Sequence, residues 1–154
     1  MKLGNEYLRV FRFYHQNAMN QKDLTEYVVP QFLAIFPQLK EYHIDKHKDV
    51  TYLELESKRR KLNILISTRD NMITIGFSAG EGLFDWHDHL LGDESLDEKI
   101  KIAVEWINSI RNNKKGIIYS SVLGHFPGDP EDLVDIKRYQ QKDEIIDFKF
   151  WSDY

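Results

Sequence analysis

Val50-Thr51-Tyr52-Leu53-Glu54-Leu55-Glu56, Leu62-Asn63-Ile64-Leu65-Ile66-Ser67 and Ile73-Thr74-Ile75-Gly76-Phe77 are the runs that decide the fold. Side chains alternate between the two sides of an extended chain, so a period of two marks strands. Thr51, Leu53 and Leu55 share one face of the first run, with Val50, Tyr52 and Glu54 on the other. In the second run, Leu62, Ile64 and Ile66 alternate with Asn63, Leu65 and Ser67. The links are short: Ser57-Lys58-Arg59-Arg60, then Arg69-Asp70-Asn71, whose Asp and Asn tolerate left-handed backbone angles. Short links predict an antiparallel meander.

Toward the N-terminus the period changes to that of a helix. Tyr7, Val10/Phe11 and Tyr14 predict one helix over about 6–15, and Leu24, Tyr27/Val28, Phe32, Ile35/Phe36 and Leu39 predict a second. Asn20, three residues before Asp23, supplies the second helix with a cap. Pro30 removes one of its backbone hydrogen bonds, which predicts a kink or two short helices.

Toward the C-terminus a long loop is expected from Ser78 to Glu94. The capping box Ser95-Leu96-Asp97-Glu98 then opens a helix with Ile100, Ala103/Val104, Ile107 and Ile110 on its core face. Asn112, Asn113 and Gly116 stop it, and Ile117 to Leu123 predicts a buried strand. Gly124 to Gly128 reads as a loop, and Asp129-Pro130-Glu131-Asp132 as the cap and first turn of a short helix or helical turn. Ile146, Phe148 and Phe150 mark a last strand. The expected class is α+β: a mainly antiparallel sheet (three-strand meander plus two C-terminal strands) with N-terminal helices and one central helix. A chain of 154 residues is one domain, 1–154, by this reading.

Composition narrows the chemistry. Without cysteine there are no disulfides and no thiolate metal sites. The first residues carry no apolar signal segment and no stretch suits a bilayer, so a cytoplasmic protein is expected, with no membrane partner. A net charge of −4 argues against indiscriminate binding of nucleic acid.

Four groups of residues are candidates for a site. Asp85, His87 and His89, in Asp85-Trp86-His87-Asp88-His89, offer two imidazoles and a carboxylate to a metal, with Asp88 or His125 as other third ligands. His125 or His87 with a carboxylate and Ser120 or Ser121 could serve hydrolysis, although no G-x-S-x-G elbow, P-loop or dinucleotide fingerprint is present. Lys46, Lys48, Lys58, Arg59, Arg60 and Lys61, with Tyr42, His43 and Tyr52, could hold single-stranded nucleic acid, yet Glu54 and Glu56 lie among them. A charged turn that keeps a sheet edge soluble accounts for these residues better.

The fourth group is acidic. Glu81, Asp85, Asp88, Asp93, Glu94, Asp97 and Glu98 occur with no Lys or Arg between the first and the last, interspersed with Leu83, Phe84, Trp86, Leu90 and Leu91. Asp129, Glu131, Asp132 and Asp135 form a second cluster. Aromatic anchors give binding energy and clustered charge steers a partner of opposite sign. The residues expected to bind a partner are therefore Phe84, Asp85, Trp86, Asp88, Asp93, Glu94, Asp129, Glu131 and Asp132. No cofactor is expected.

The size, the α+β order, the acidic balance and the stretch Trp86-His87-Asp88-His89 after a strand together resemble bacterial immunity proteins. These are small cytosolic antidotes to polymorphic and contact-dependent toxins. The resemblance implies a noncatalytic protein that binds one cognate toxin, often a nuclease with a basic groove, with the acidic segment standing in for phosphates. The alternatives are a metal-dependent or acid/base hydrolase using the His87/His89 loop, and an adaptor or scaffold.

Overall fold

Alternation is what the backbone obeys. In a computed structural model that describes residues 19–43, 49–79 and 83–154, the three runs form β2 (Tyr52–Glu56), β3 (Asn63–Ser67) and β4 (Thr74–Ser78). Leu53 pairs with Ile66, Leu55 with Ile64, Ile66 with Ile75, and Ile64 with Phe77. All of these are buried, so one face of the meander is a continuous apolar layer. The turns have the expected chemistry. Asp70 and Asn71 both take left-handed angles (φ 57° each), and Ser57 Oγ accepts from the N–H groups of Lys61 and Leu62 at 3.2 and 3.1 Å.

Two more strands extend the sheet. β1 (Lys40–Tyr42) pairs with β2, and β5 (Trp86–His89) pairs with β4, giving the antiparallel order β1-β2-β3-β4-β5. The expected loop over 78–94 is thus interrupted by a strand. Gly76 makes this possible: a Cβ there would lie 2.0 Å from the Trp86 carbonyl oxygen and 2.8 Å from His87 Cα. Four residues with three polar side chains give no apolar alternation to read, which is why the strand was not legible.

The helices cover the apolar face. α1 (Gln21–Ile35) starts at Asn20, whose Oδ1 accepts from the Asp23 N–H at 2.9 Å. It runs as one helix through Pro30 rather than as two, with Pro30 exposed and Leu24, Val28, Val29 and Phe32 buried. Solvent can serve the backbone carbonyl that proline leaves without a donor on such a face. α2 (Leu96–Arg111) has the full reciprocal box: Glu98 N–H to Ser95 Oγ at 3.3 Å and Ser95 N–H to Glu98 Oε2 at 2.8 Å. It buries Ile100, Ala103, Ile107 and Ile110. The helix expected over 6–15 lies outside the described residues.

The C-terminal part forms a second antiparallel sheet, β7-β6-β8, from β6 (Gly116–Ser120), β7 (Gly124–Gly128) and β8 (Ile146–Lys149). Two expectations are corrected here. The strand predicted to reach Leu123 stops at Ser120, because Ser120 Oγ accepts from the Val122 and Leu123 N–H groups and closes a turn. Gly124-His125-Phe126-Pro127-Gly128, read as a loop, is the edge strand β7, where a proline costs no ladder bond if its nitrogen faces outward. A third helix, α3 (Asp132–Arg138), begins later than the predicted Asp129 cap, with no side-chain cap bond.

Two antiparallel sheets and three helices among the described residues make the fold α+β. One core cluster takes side chains from both helices and both sheets, among them Phe32, Ile64, Phe77, Ile107, Ile117 and Tyr154. A smaller cluster, Val50, Tyr52 and Leu65 with Tyr42 and Phe84, lies on the other face of the first sheet. No helix among the described residues is long and apolar enough to cross a membrane.

Candidate protein-binding surface

β5 divides its residues between two faces, and this sorts the acidic segment. Trp86 turns toward the core. Its ring lies 6.0 Å from Trp106, stacked, and 6.3 Å from Phe77. Phe84 packs on the opposite face, against the cluster of Val50, Tyr52 and Leu65. Both rings are only partly exposed and they point to different sides. Each packs into the sheet from its own side, so the two rings do not present one common face to a partner. The exposed apolar side chains of the segment are instead Leu83 and Leu91, at 69% and 66%.

The carboxylates sort in the same way. Asp85 is committed to the second sheet: its Oδ2 is 2.8 Å from His125 Nδ1 and accepts the His125 backbone N–H at 3.3 Å. A Cβ on Gly124 (φ +79°) would stand 3.0 Å from the Asp85 side chain, so glycine lets the two sheets approach here. His125 in turn lies tilted 4.9 Å from Tyr119 and meets the edge of Tyr154 at 5.5 Å. Tyr154 is buried, which together with Asp147 and Asp153 raises its phenol to about 12. Nothing in the sequence signalled this junction, since Asp85 and His125 are 40 positions apart.

Asp97 accepts a hydrogen bond from Tyr27, and Glu98 belongs to the capping box. The bonds from Ser95 hold the Glu98 carboxyl below its ordinary value. Asp88, Asp93 and Glu94 remain exposed, and none of them makes an ion pair or side-chain hydrogen bond among the described residues. Glu81 lies outside those residues. The second acidic cluster is mostly engaged as well. Asp129 pairs with Lys115 at 3.4 Å, Asp132 accepts the Asp129 N–H at 2.7 Å, and Asp135 pairs with Arg138 at 3.1 Å. Of the expected contact residues there, only Glu131 is left exposed without such a partner.

The catalytic alternatives are not assembled as expected. Asp85 faces His125, not His87 and His89, and no group of three or more His, Asp or Glu among the described residues is placed to hold a metal. His87 and His89 sit on a strand, not in a loop. Ser120 is buried and bonded to Glu144 Oε1 at 2.5 Å as well as to its turn amides, and Ser121 Oγ accepts from the Ile145 N–H. Neither hydroxyl is bonded to His125, so the Asp85–His125 pair stands without the nucleophile the hydrolytic reading needed. Of the basic candidates, Lys58, Arg59, Arg60 and Lys61 form the exposed β2–β3 turn, with Arg60 in the left-handed region (φ 55°) and within 3.7 Å of Glu56. Lys46 and Lys48 lie outside the described residues.

Compared with protein-family models, with curated proteins and with solved structures, the chain gives no match. Its functional reading therefore rests on its own residues.

Proposed function

We propose that this chain is a protein-binding antidote of the immunity-protein kind, acting in the cytoplasm on a cognate toxin domain with a basic groove. The observation that supports the reading best is the trio Asp88, Asp93 and Glu94, exposed at β5 and the approach to α2 and free of cation partners among the described residues. Unneutralised carboxylates in a row without Lys or Arg raise the local concentration of a cationic partner and quicken encounter. Leu91 and Leu83, exposed within the same segment, supply apolar contact where Trp86 and Phe84 do not. A nuclease groove shaped for phosphates would accept such carboxylates in their place.

Protection of growth tests this. The chain is co-expressed with its cognate toxin domain, sought in the neighbouring reading frames; finding none there would count against the antidote reading. Wild type restores growth, and a variant carrying Asp88→Lys, Asp93→Lys and Glu94→Lys does not, while melting at the same temperature. Equal protection by both would remove this surface from the mechanism, and no protection by wild type would count against the antidote reading itself.

A further inference from the structure

His87 and His89 are two residues apart on one strand and so project from the same side of β5, opposite Gly76 and Thr74 of β4. Their rings lie 4.6 Å apart, centre to centre, and both residues are exposed. Each ring is braced from below. His89 Nδ1 lies 2.8 Å from the Thr74 hydroxyl oxygen, and Thr74 is only 4% exposed. With Nδ1–H donating to that oxygen, the lone pair sits on Nε2, which is then free to bind. A metal-binding histidine is usually held by such a bond from its second nitrogen, which fixes both tautomer and orientation. His87 rests 5.4 Å from the Phe84 ring, which fills the space that a side chain on Gly76 would need.

We propose that His87 and His89 form a solvent-facing chelate for one divalent transition-metal ion of borderline softness: copper(II), nickel(II) or zinc(II). Imidazole nitrogen suits these ions, at metal–nitrogen distances of about 2.0–2.1 Å for zinc. Two neighbouring rings on one side of a strand can converge on one ion by rotation about their side-chain bonds. Calcium and magnesium are excluded because they take oxygen ligands. Asp85 takes no part, being bonded to His125, and Asp88 projects from the other face of β5. Water fills the remaining positions, so the ion is bound openly and stays accessible to a third ligand from outside. The site does not depend on the antidote reading and stands or falls separately.

Calorimetric titration of the full chain with copper(II), nickel(II) or zinc(II) chloride decides the matter. One ion binds per chain at this site, copper most tightly, as the general stability order of these ions requires. His87→Ala and His89→Ala each weaken that binding at least tenfold, Thr74→Val weakens it about tenfold through loss of the brace, and Asp85→Asn leaves it unchanged. Circular dichroism confirms that each variant is folded, and His89→Gln replaces His89→Ala if that variant is not. Undiminished binding in the His87→Ala/His89→Ala double variant would place the metal on other histidines and overturn the proposal, as would wild-type binding no tighter than that of either single variant.

Discussion

At the scale of single residues, Gly76 has the largest effect for its size. It is the only residue type that lets the Trp86 carbonyl come as close as it does, and β5 is attached to the sheet through that approach. Gly76→Ala forces backbone against backbone, where no flexible side chain can give way. The expected loss is about 1–3 kcal/mol, the usual cost of overpacking, read by urea denaturation. Trp86 fluorescence should change in the folded state as its stacking on Trp106 loosens. The same scale shows why the site was only half legible. That Asp88, Asp93 and Glu94 are acidic was visible in the sequence. That Asp85 is spent on His125, Asp97 on Tyr27 and Asp129 on Lys115 was not, because each partner is brought in by a distant element.

At the scale of elements, local signals were reliable where chemistry within a few residues decides the outcome. The box at Ser95 and Glu98, the cap at Asn20 and the left-handed Asp70 each follow from neighbours three or fewer positions away. The failures were β1, β5 and β7, short edge strands whose residues lack apolar alternation and whose existence depends on a partner strand. α2 supplies a test of the local kind. Ser95→Ala removes the acceptor for the Glu98 amide and costs about 1 kcal/mol, typical for a helix cap. The partner in the box, Glu98, gives the helix start a response to acid. The Glu98 carboxyl titrates lower in the folded chain than its ordinary 4.5, chiefly because the Ser95 backbone N–H donates to its charged form, with a smaller share from the Ser95 hydroxyl. Such a group stabilises the fold above the pKa of the unfolded chain and loses that contribution as pH falls through the lower native value. Thermal melts between pH 6 and pH 3 should therefore fall less steeply for Glu98→Gln, which has no carboxyl to protonate, than for wild type.

At the scale of the whole molecule, one apolar core holds α1, α2 and both sheets together, and the bond between Asp85 and His125 pins the sheets where β5 meets β7. This arrangement turns the aromatic side chains of the acidic segment into the fold and leaves its unpaired charge outside. For the binding proposed above, this assigns attraction to Asp88, Asp93 and Glu94 and apolar contact to the exposed Leu83 and Leu91 rather than to Trp86. Charge at an exposed rim acts chiefly on the rate of encounter and is screened over about 10 Å at 0.1 M salt. The most direct measurement is the association rate constant of this chain with the proposed cognate toxin domain, sought in the neighbouring reading frames, taken by stopped flow over a range of salt concentrations. Wild type should associate more slowly as salt rises, and Asp88→Lys/Asp93→Lys/Glu94→Lys should associate at least tenfold more slowly at low salt with that dependence flattened or reversed; identical rates and identical salt slopes for the two proteins would contradict the account.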